Sequence, residues 1–130
     1  MIKEEEEALI KPYMFKNGAN GIQETASWDD LMLTEQTKRG LIDSGYPFPS
    51  EIQFQAIPKL IDPLSSKDFL VQAHSGMGKT AIYLIALLEL MNSGSNKYKK
   101  HQCIIVGNTR ELPHQINKVL LGISRYFKNP

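Results

Sequence analysis

One cysteine, one tryptophan and a net charge of +1 leave several common functions without a basis in this 130-residue chain. Cys103 alone closes no internal disulfide and, with three scattered histidines, completes no metal site. That points to a reducing, intracellular compartment and to no disulfide-linked partner. Fifteen basic against fourteen acidic residues give no global pull toward a polyanion, so any nucleic-acid contact must come from a few placed groups. Long hydrophobic runs are lacking too: the longest, Ala81 to Met91, is short and carries Glu89. The N-terminus has Glu4 to Glu7 where a secretory leader would be basic and then apolar, so neither a membrane span nor secretion is expected.

What is present suits one compact domain, since 42% hydrophobic residues are enough for a packed core. Residues 1–27 mix the glutamate run with Asn-Gly and show no sustained period, which predicts a flexible N-terminal arm, with the folded part starting at Trp28 and running to 130. A helix is expected from Thr34, as N-cap, to Ser44, stopped by Gly45 and Pro47, and a second from Ser50. Asp68 to Gln72 and Cys103 to Val106 read as buried strands, with a helix from Lys79 to about Asn92 between them and a stop at Ser93-Gly94-Ser95-Asn96. A last helix is expected after Thr109, through Leu112, Ile116, Val119, Leu120 and Ile123. Strand, helix, strand makes one βαβ unit of an α/β fold.

Ala73 to Thr80, AHSGMGKT, joins the first strand to its helix and reads as a phosphate-binding loop. Gly76 and Gly78 let the backbone turn so that successive N–H groups face phosphate oxygens. Lys79 supplies an ammonium for the β and γ phosphates and Thr80 a hydroxyl for Mg²⁺, while the following helix aims its positive end at the anion. A chance match in a chain of this length is on the order of one in a hundred. The alternative is a glycine-rich strand-to-helix turn with a surface lysine.

Upstream, Gly45-Tyr46-Pro47-Phe48-Pro49-Ser50-Glu51-Ile52-Gln53 has two readings that spacing leaves open. In one, the Gln53 amide pairs with the N6 and N7 edge of adenine while Tyr46 stacks on the base. In the other, Ser50 and Gln53 form a capping box that starts a helix, and Tyr46 is a core residue.

This segment resembles the Q motif of the DEAD-box RNA helicases at every fixed position, and Trp28 stands seventeen residues before Gly45, where that family places a lone aromatic. The glycine loop resembles the family's motif I, and Asn108-Thr109-Arg110-Glu111-Leu112-Pro113 its motif Ia, usually PTRELA. Within the family, SWDDLMLTE and HQINKVLLGISRYF resemble the translation-initiation factor 4A group, and SGMGKT is similar to the mRNA export and splicing helicases. The resemblance implies an incomplete RecA-like domain with a parallel sheet and flanking helices, broken off after the second strand and its helix. It implies an ATP site of Trp28, Tyr46, Gln53, Ala73, His74, Ser75, Gly76, Met77, Gly78, Lys79 and Thr80, with Lys79 catalytic and Mg²⁺ on Thr80. Thr109 and Arg110 would touch RNA, single-stranded or duplex; physically, a hydroxyl and free N–H groups at a helix start and one positive charge suit a phosphate. Their plainer reading is a helix N-cap and a surface ion pair. Asn108 for Pro and Pro113 for Ala depart from the pattern.

The same likeness implies a hydrolase that remodels RNA in translation initiation, with helicase cofactor proteins as partners and the cytoplasm, over the nucleus, as its place. Yet no DEAD-like tetrapeptide follows the loop, and hydrolysis needs an acidic pair to hold Mg²⁺ and orient water. The expectation is therefore a truncated or spliced piece of a helicase that binds ATP without unwinding RNA alone. The alternative is a non-catalytic fragment that holds ATP or a helicase partner. His74 sits at a variable loop position; His101, His114, Cys103 and the Lys97, Lys99, Lys100 run have only solvated or packing roles.

Overall fold

A computed structural model of the chain describes residues 12–16, 23–93 and 103–128. The glutamate run at 4–7, the turn at 94–96 and the basic run at 97–101 lie outside them. Two strands come first, β1 (Met14–Lys16) and β2 (Gln23–Thr25), then a 3₁₀ turn at Trp28–Asp30. Four helices follow: α1 (Glu35–Asp43), α2 (Glu51–Leu60), α3 (Lys79–Ser93) and α4 (Glu111–Ile123), the last running into a 3₁₀ turn at Ser124–Tyr126.

The helices begin and end where their sequence places the stops. Thr34 and Ser50 are the N-caps of α1 and α2, and α1 ends at Ser44 before Gly45, whose φ of 90° suits glycine. Helix α3 is apolar nearly all round, with Ala81, Ile82, Leu84, Ile85, Ala86 and Leu88 buried, so it belongs at the centre. It packs against α1, α2 and α4. The core gathers Trp28, Leu31, Leu33, Leu41, Ile57, Ile82, Ile85 and Ile123 around it.

A buried carboxylate fixes α1 on α3. Glu89 accepts from the Thr34 N–H (3.1 Å), from the Thr34 hydroxyl (3.0 Å) and from the Thr37 hydroxyl. The Thr34 side chain makes no cap bond of its own, and Glu89, 55 residues away, joins Glu35 in complementing the α1 N-terminus. On the outer side, Lys38 donates to Asp29 (2.8 Å) and pairs with Glu35; these carboxylates hold its ammonium pKa above the ordinary lysine value.

Two expectations from sequence are corrected here. Neither 68–72 nor 103–106 is a paired strand; Leu70, Ile104 and Val106 are 95%, 86% and 88% exposed. A strand exists through ladder bonds to a neighbour, and no described segment pairs with these two. The one ladder among the described residues is antiparallel and lies in the expected arm, with Met14 opposite Thr25, Phe15 opposite Glu24 and Lys16 opposite Gln23. Residues 12–16 and 23–27 are therefore part of the folded body: Tyr13 and Phe15 pack on Phe54 of α2.

Helices α1 and α4 approach so closely that a Cβ on Gly40 would stand 1.9 Å from the Ile123 carbonyl oxygen. Gly40→Ala sets a propensity gain of about 1 kcal/mol against overpacking on a backbone atom that cannot turn aside, which costs about 1–3 kcal/mol or more. The steric term should win, and urea unfolding of Gly40→Ala should show a lower midpoint at an unchanged slope.

Candidate nucleotide-binding site

The loop at 73–78 turns on two glycines with positive φ, 82° at Gly76 and 79° at Gly78, and feeds directly into the first turn of α3. Its Met77 N–H donates to the His74 carbonyl (3.4 Å), closing a tight turn. Lys79 reaches back across the loop and donates from Nζ to the Ala73 carbonyl (2.5 Å).

The loop is tied from behind to α2. Ser50 and Gln53 form a capping box: Ser50 Oγ accepts from the Gln53 N–H (3.4 Å), and Gln53 Oε1 accepts from the Ser50 N–H (2.9 Å). The same two side chains also donate to loop carbonyls, Ser50 Oγ to Met77 (3.0 Å) and Gln53 Nε2 to Gly78 (3.2 Å). Gly78 has to be glycine twice over, since a Cβ there would lie 2.3 Å from Gln53 Nε2.

In front of the loop is a cavity of about 370 Å³, lined by Tyr46, Gly76, Gly78, Lys79 and Thr80, with Leu112, Gln115, Ile116 and Val119 of α4 as the opposite wall. First-turn N–H groups of α3 lack intrahelical acceptors, so the helix start beside the cavity favours an anion. No carboxylate lines this cavity among the described residues. Nor does any group of three or more His, Cys, Asp or Glu among them have the makings of a metal site.

Five expected residues, Tyr46, Gly76, Gly78, Lys79 and Thr80, thus share one cavity. The others surround it. Ala73 holds the Lys79 ammonium, Met77 is half-buried against Ser50, and His74 and Ser75 are exposed. Gln53 is 3% exposed behind the loop. Trp28 does not line the cavity: it is buried in the core, and its indole Nε1 donates to the Tyr46 carbonyl (2.7 Å), fixing the backbone of the residue that does. Thr109 and Arg110 are both exposed just before α4, where Thr109 Oγ1 accepts from the Leu112 N–H (3.3 Å). Sequence reasoning missed the α4 wall, because the spacing of Leu112, Ile116 and Val119 marks a helix face without saying what it meets, and it missed Ser50 as a second tie to the loop.

The protein-family model described as DEAD/DEAH box helicase matches residues 50–129, the span holding the α2 start, the loop and α4. The chain belongs to the DEAD/DEAH box helicase family. Among its relatives, the ATP-dependent RNA helicase eIF4A of Yarrowia lipolytica is 43% identical over 102 residues, covering 78% of this chain and 24% of that protein. The ATP-dependent RNA helicase WM6 of Drosophila melanogaster is 33% identical over 103 residues, covering 79% of this chain and 23% of its own length. This chain therefore spans about a quarter of the length of the curated relatives it matches. A solved structure of a Saccharomyces cerevisiae Dbp5 variant bound to RNA and ADP BeF3 superposes with a TM-score of 0.71 at 27% identity, over 80% of this chain and 26% of that one. The fold is thus the N-terminal portion of a RecA-like α/β domain, its helices in place although 68–72 and 103–106 are unpaired.

Ser50 carries two bonds, the cap of α2 and the tie to Met77. Ser50→Ala should lower stability by about 2 kcal/mol, about 1 for the cap and about 1 for the tie. Ser50→Thr, which keeps both groups, should recover most of that loss in thermal unfolding.

Proposed function

We propose that this chain binds ATP with Mg²⁺ as the first part of an RNA-remodelling helicase. The observation that carries the reading is the meeting of Tyr46, the two positive-φ glycines, Lys79 and Thr80 around one cavity at a helix N-terminus. Loop N–H groups and the α3 start would take the phosphates, and Lys79 would exchange the Ala73 carbonyl for a phosphate oxygen. Pairing the ammonium with an anionic phosphate adds Coulomb attraction that a neutral carbonyl lacks, so the exchange favours the nucleotide. The Thr80 hydroxyl suits Mg²⁺, which takes few protein ligands and fills its shell from phosphate oxygens and water; bound there, the ion would neutralise phosphate charge.

Gln53, buried behind the loop and outside the cavity lining, keeps the hydrogen-bonding capacity for the base-reading role that the family likeness suggests. Its contacts to Ser50 and Gly78 use one lone pair of Oε1 and one hydrogen of Nε2, leaving one acceptor and one donor. Adenine offers a complementary pair, the N6 donor and the N7 acceptor. Tyr46, half-buried at the cavity, supplies a ring face for the base.

Thr109 and Arg110, exposed at the start of α4, are the proposed RNA contacts, in line with the RNA held by the Dbp5 variant. Unwinding and ATP turnover belong to the length of the relatives; the residues of this cavity hold phosphates and supply no carboxylate to orient water. Work in the cytoplasm on translated messages, with helicase cofactor proteins, is the matching proposal from the likeness to eIF4A.

Titration of the purified chain should show saturable ATP binding tighter than GTP binding. Lys79→Ala should weaken ATP by roughly 10- to 100-fold, the loss of one charged hydrogen bond, and Gln53→Ala should narrow the gap between the two nucleotides. Equal affinity for both would remove the adenine reading. For RNA, Arg110→Ala should weaken single-strand binding about equally for all sequences and lower the salt slope by roughly 0.7, the signature of one lost phosphate contact.

A further inference from the structure

The hairpin of β1 and β2 is held against the site from two directions. Tyr13, just before β1, and Phe15 within it both meet Phe54, while Met14 between them is 44% exposed. The Phe15 ring stacks on that of Phe54 with centroids 5.0 Å apart and planes at 29°, and the Tyr13 ring lies 5.7 Å away at 55°. Phe54 directly follows Gln53 in the first turn of α2, and its N–H closes that turn on the Ser50 carbonyl (2.9 Å). Successive helical residues point about 100° apart, so one turn of α2 holds the loop with Gln53 and the hairpin with Phe54.

The second connection runs through the chain that leaves β2. Buried Ala26 donates its N–H to the Tyr13 carbonyl (2.7 Å), Ser27 caps the 3₁₀ turn, and Trp28 in that turn holds the Tyr46 carbonyl. Both proposed base readers, Gln53 through Phe54 and Tyr46 through Trp28, are thus braced by the same short hairpin. The bonds it would govern have little slack: Gln53 reaches Gly78 at 3.2 Å and its N–H reaches Ser50 at 3.4 Å, both at the long end of N–H···O geometry.

We infer that Tyr13 and Phe15 are positioning residues for base selection, acting through Phe54 and the Ala26–Trp28 segment on Gln53 and Tyr46. The hairpin touches no nucleotide; it sets where α2 and the Tyr46 backbone stand relative to the glycine loop. The inference rests on the ATP reading above, and one of its two measurements is made without nucleotide.

The test uses the full chain with Tyr13 and Phe15 both changed to alanine, beside a conservative Tyr13→Phe, Phe15→Tyr pair. Nucleotide titration should show ATP binding weakened roughly three- to tenfold, as expected from the loss of an aromatic contact, with GTP binding unchanged and the conservative pair like wild type. Hydrogen exchange without nucleotide should speed up at the amides of 50–54 and 77–79 and stay unchanged at 84–88 in α3. If the double alanine chain is poorly folded, Phe15→Leu, which keeps an apolar contact and removes the stack, replaces it. An unchanged ATP-to-GTP ratio with unchanged exchange at 77–79 overturns the inference. So does uniformly faster exchange through α3, which would mark the hairpin as a general stabiliser. If wild type itself fails to distinguish ATP from GTP, the base reading of Gln53 and Tyr46 fails, and base selection by the hairpin falls with it. Exchange at 77–79 then decides separately whether the hairpin positions the loop.

Discussion

The carbonyls of Met77 and Gly78 turn away from the cavity and accept from Ser50 and Gln53, and this pair of bonds decides how the glycine loop can stand. A loop with two positive-φ residues has few bonds of its own, and its shape must be imposed from outside. Here the imposition comes from the first turn of α2, where the side chains that cap the helix also reach the loop. Because the capping box and the loop tie share the same two side chains, the start of α2 and the shape of the loop are coupled. The absence of a Cβ at Gly78 is what lets the Gln53 amide come this close.

The rest of the molecule holds α2 and α3 in the register those bonds need. Helix α3 begins at Lys79, so its position fixes both the ammonium and the Thr80 hydroxyl, and its burial among α1, α2 and α4 leaves it little freedom. Glu89, near the other end of the same helix, locks it to the α1 start through Thr34 and Thr37. Removing those donors would leave a buried carboxylate without hydrogen bonds, a larger penalty than losing a surface ion pair such as Lys38 with Asp29.

Helices were legible in the sequence because their information is local. Thr34, Ser50 and Gly45 mark ends, and the spacing of Ile116, Val119 and Ile123 marks a face. The glycine loop was legible for the same reason, and so was the capping box of Ser50 with Gln53. Strands at 68–72 and 103–106 were misread because β-branched side chains report a preference, whereas a strand is made by a neighbour elsewhere in the chain. The arm was misread for the converse reason: three-residue strands beside polar runs have no visible period, and their fixing contact, Phe15 on Phe54, spans 39 positions. Glu89 on Thr34 is likewise a long-range choice that no local pattern announces.

The loop's polar groups are partnered within the fold. Lys79 occupies the Ala73 carbonyl, Met77 N–H occupies that of His74, and the outward carbonyls are taken by α2. Any anion entering the cavity has to displace the first of these bonds and leave the ties to α2 in place, because those ties hold the Gly76 to Lys79 turn open toward the cavity. The two sets differ in what an anion offers them: the Lys79 ammonium would gain Coulomb attraction by leaving the neutral Ala73 carbonyl, whereas the bonds of Ser50 and Gln53 to Met77 and Gly78 lie behind the loop. On the proposed ATP reading, the loop would change the partner of its lysine without changing its backbone, the preorganisation that phosphate recognition needs.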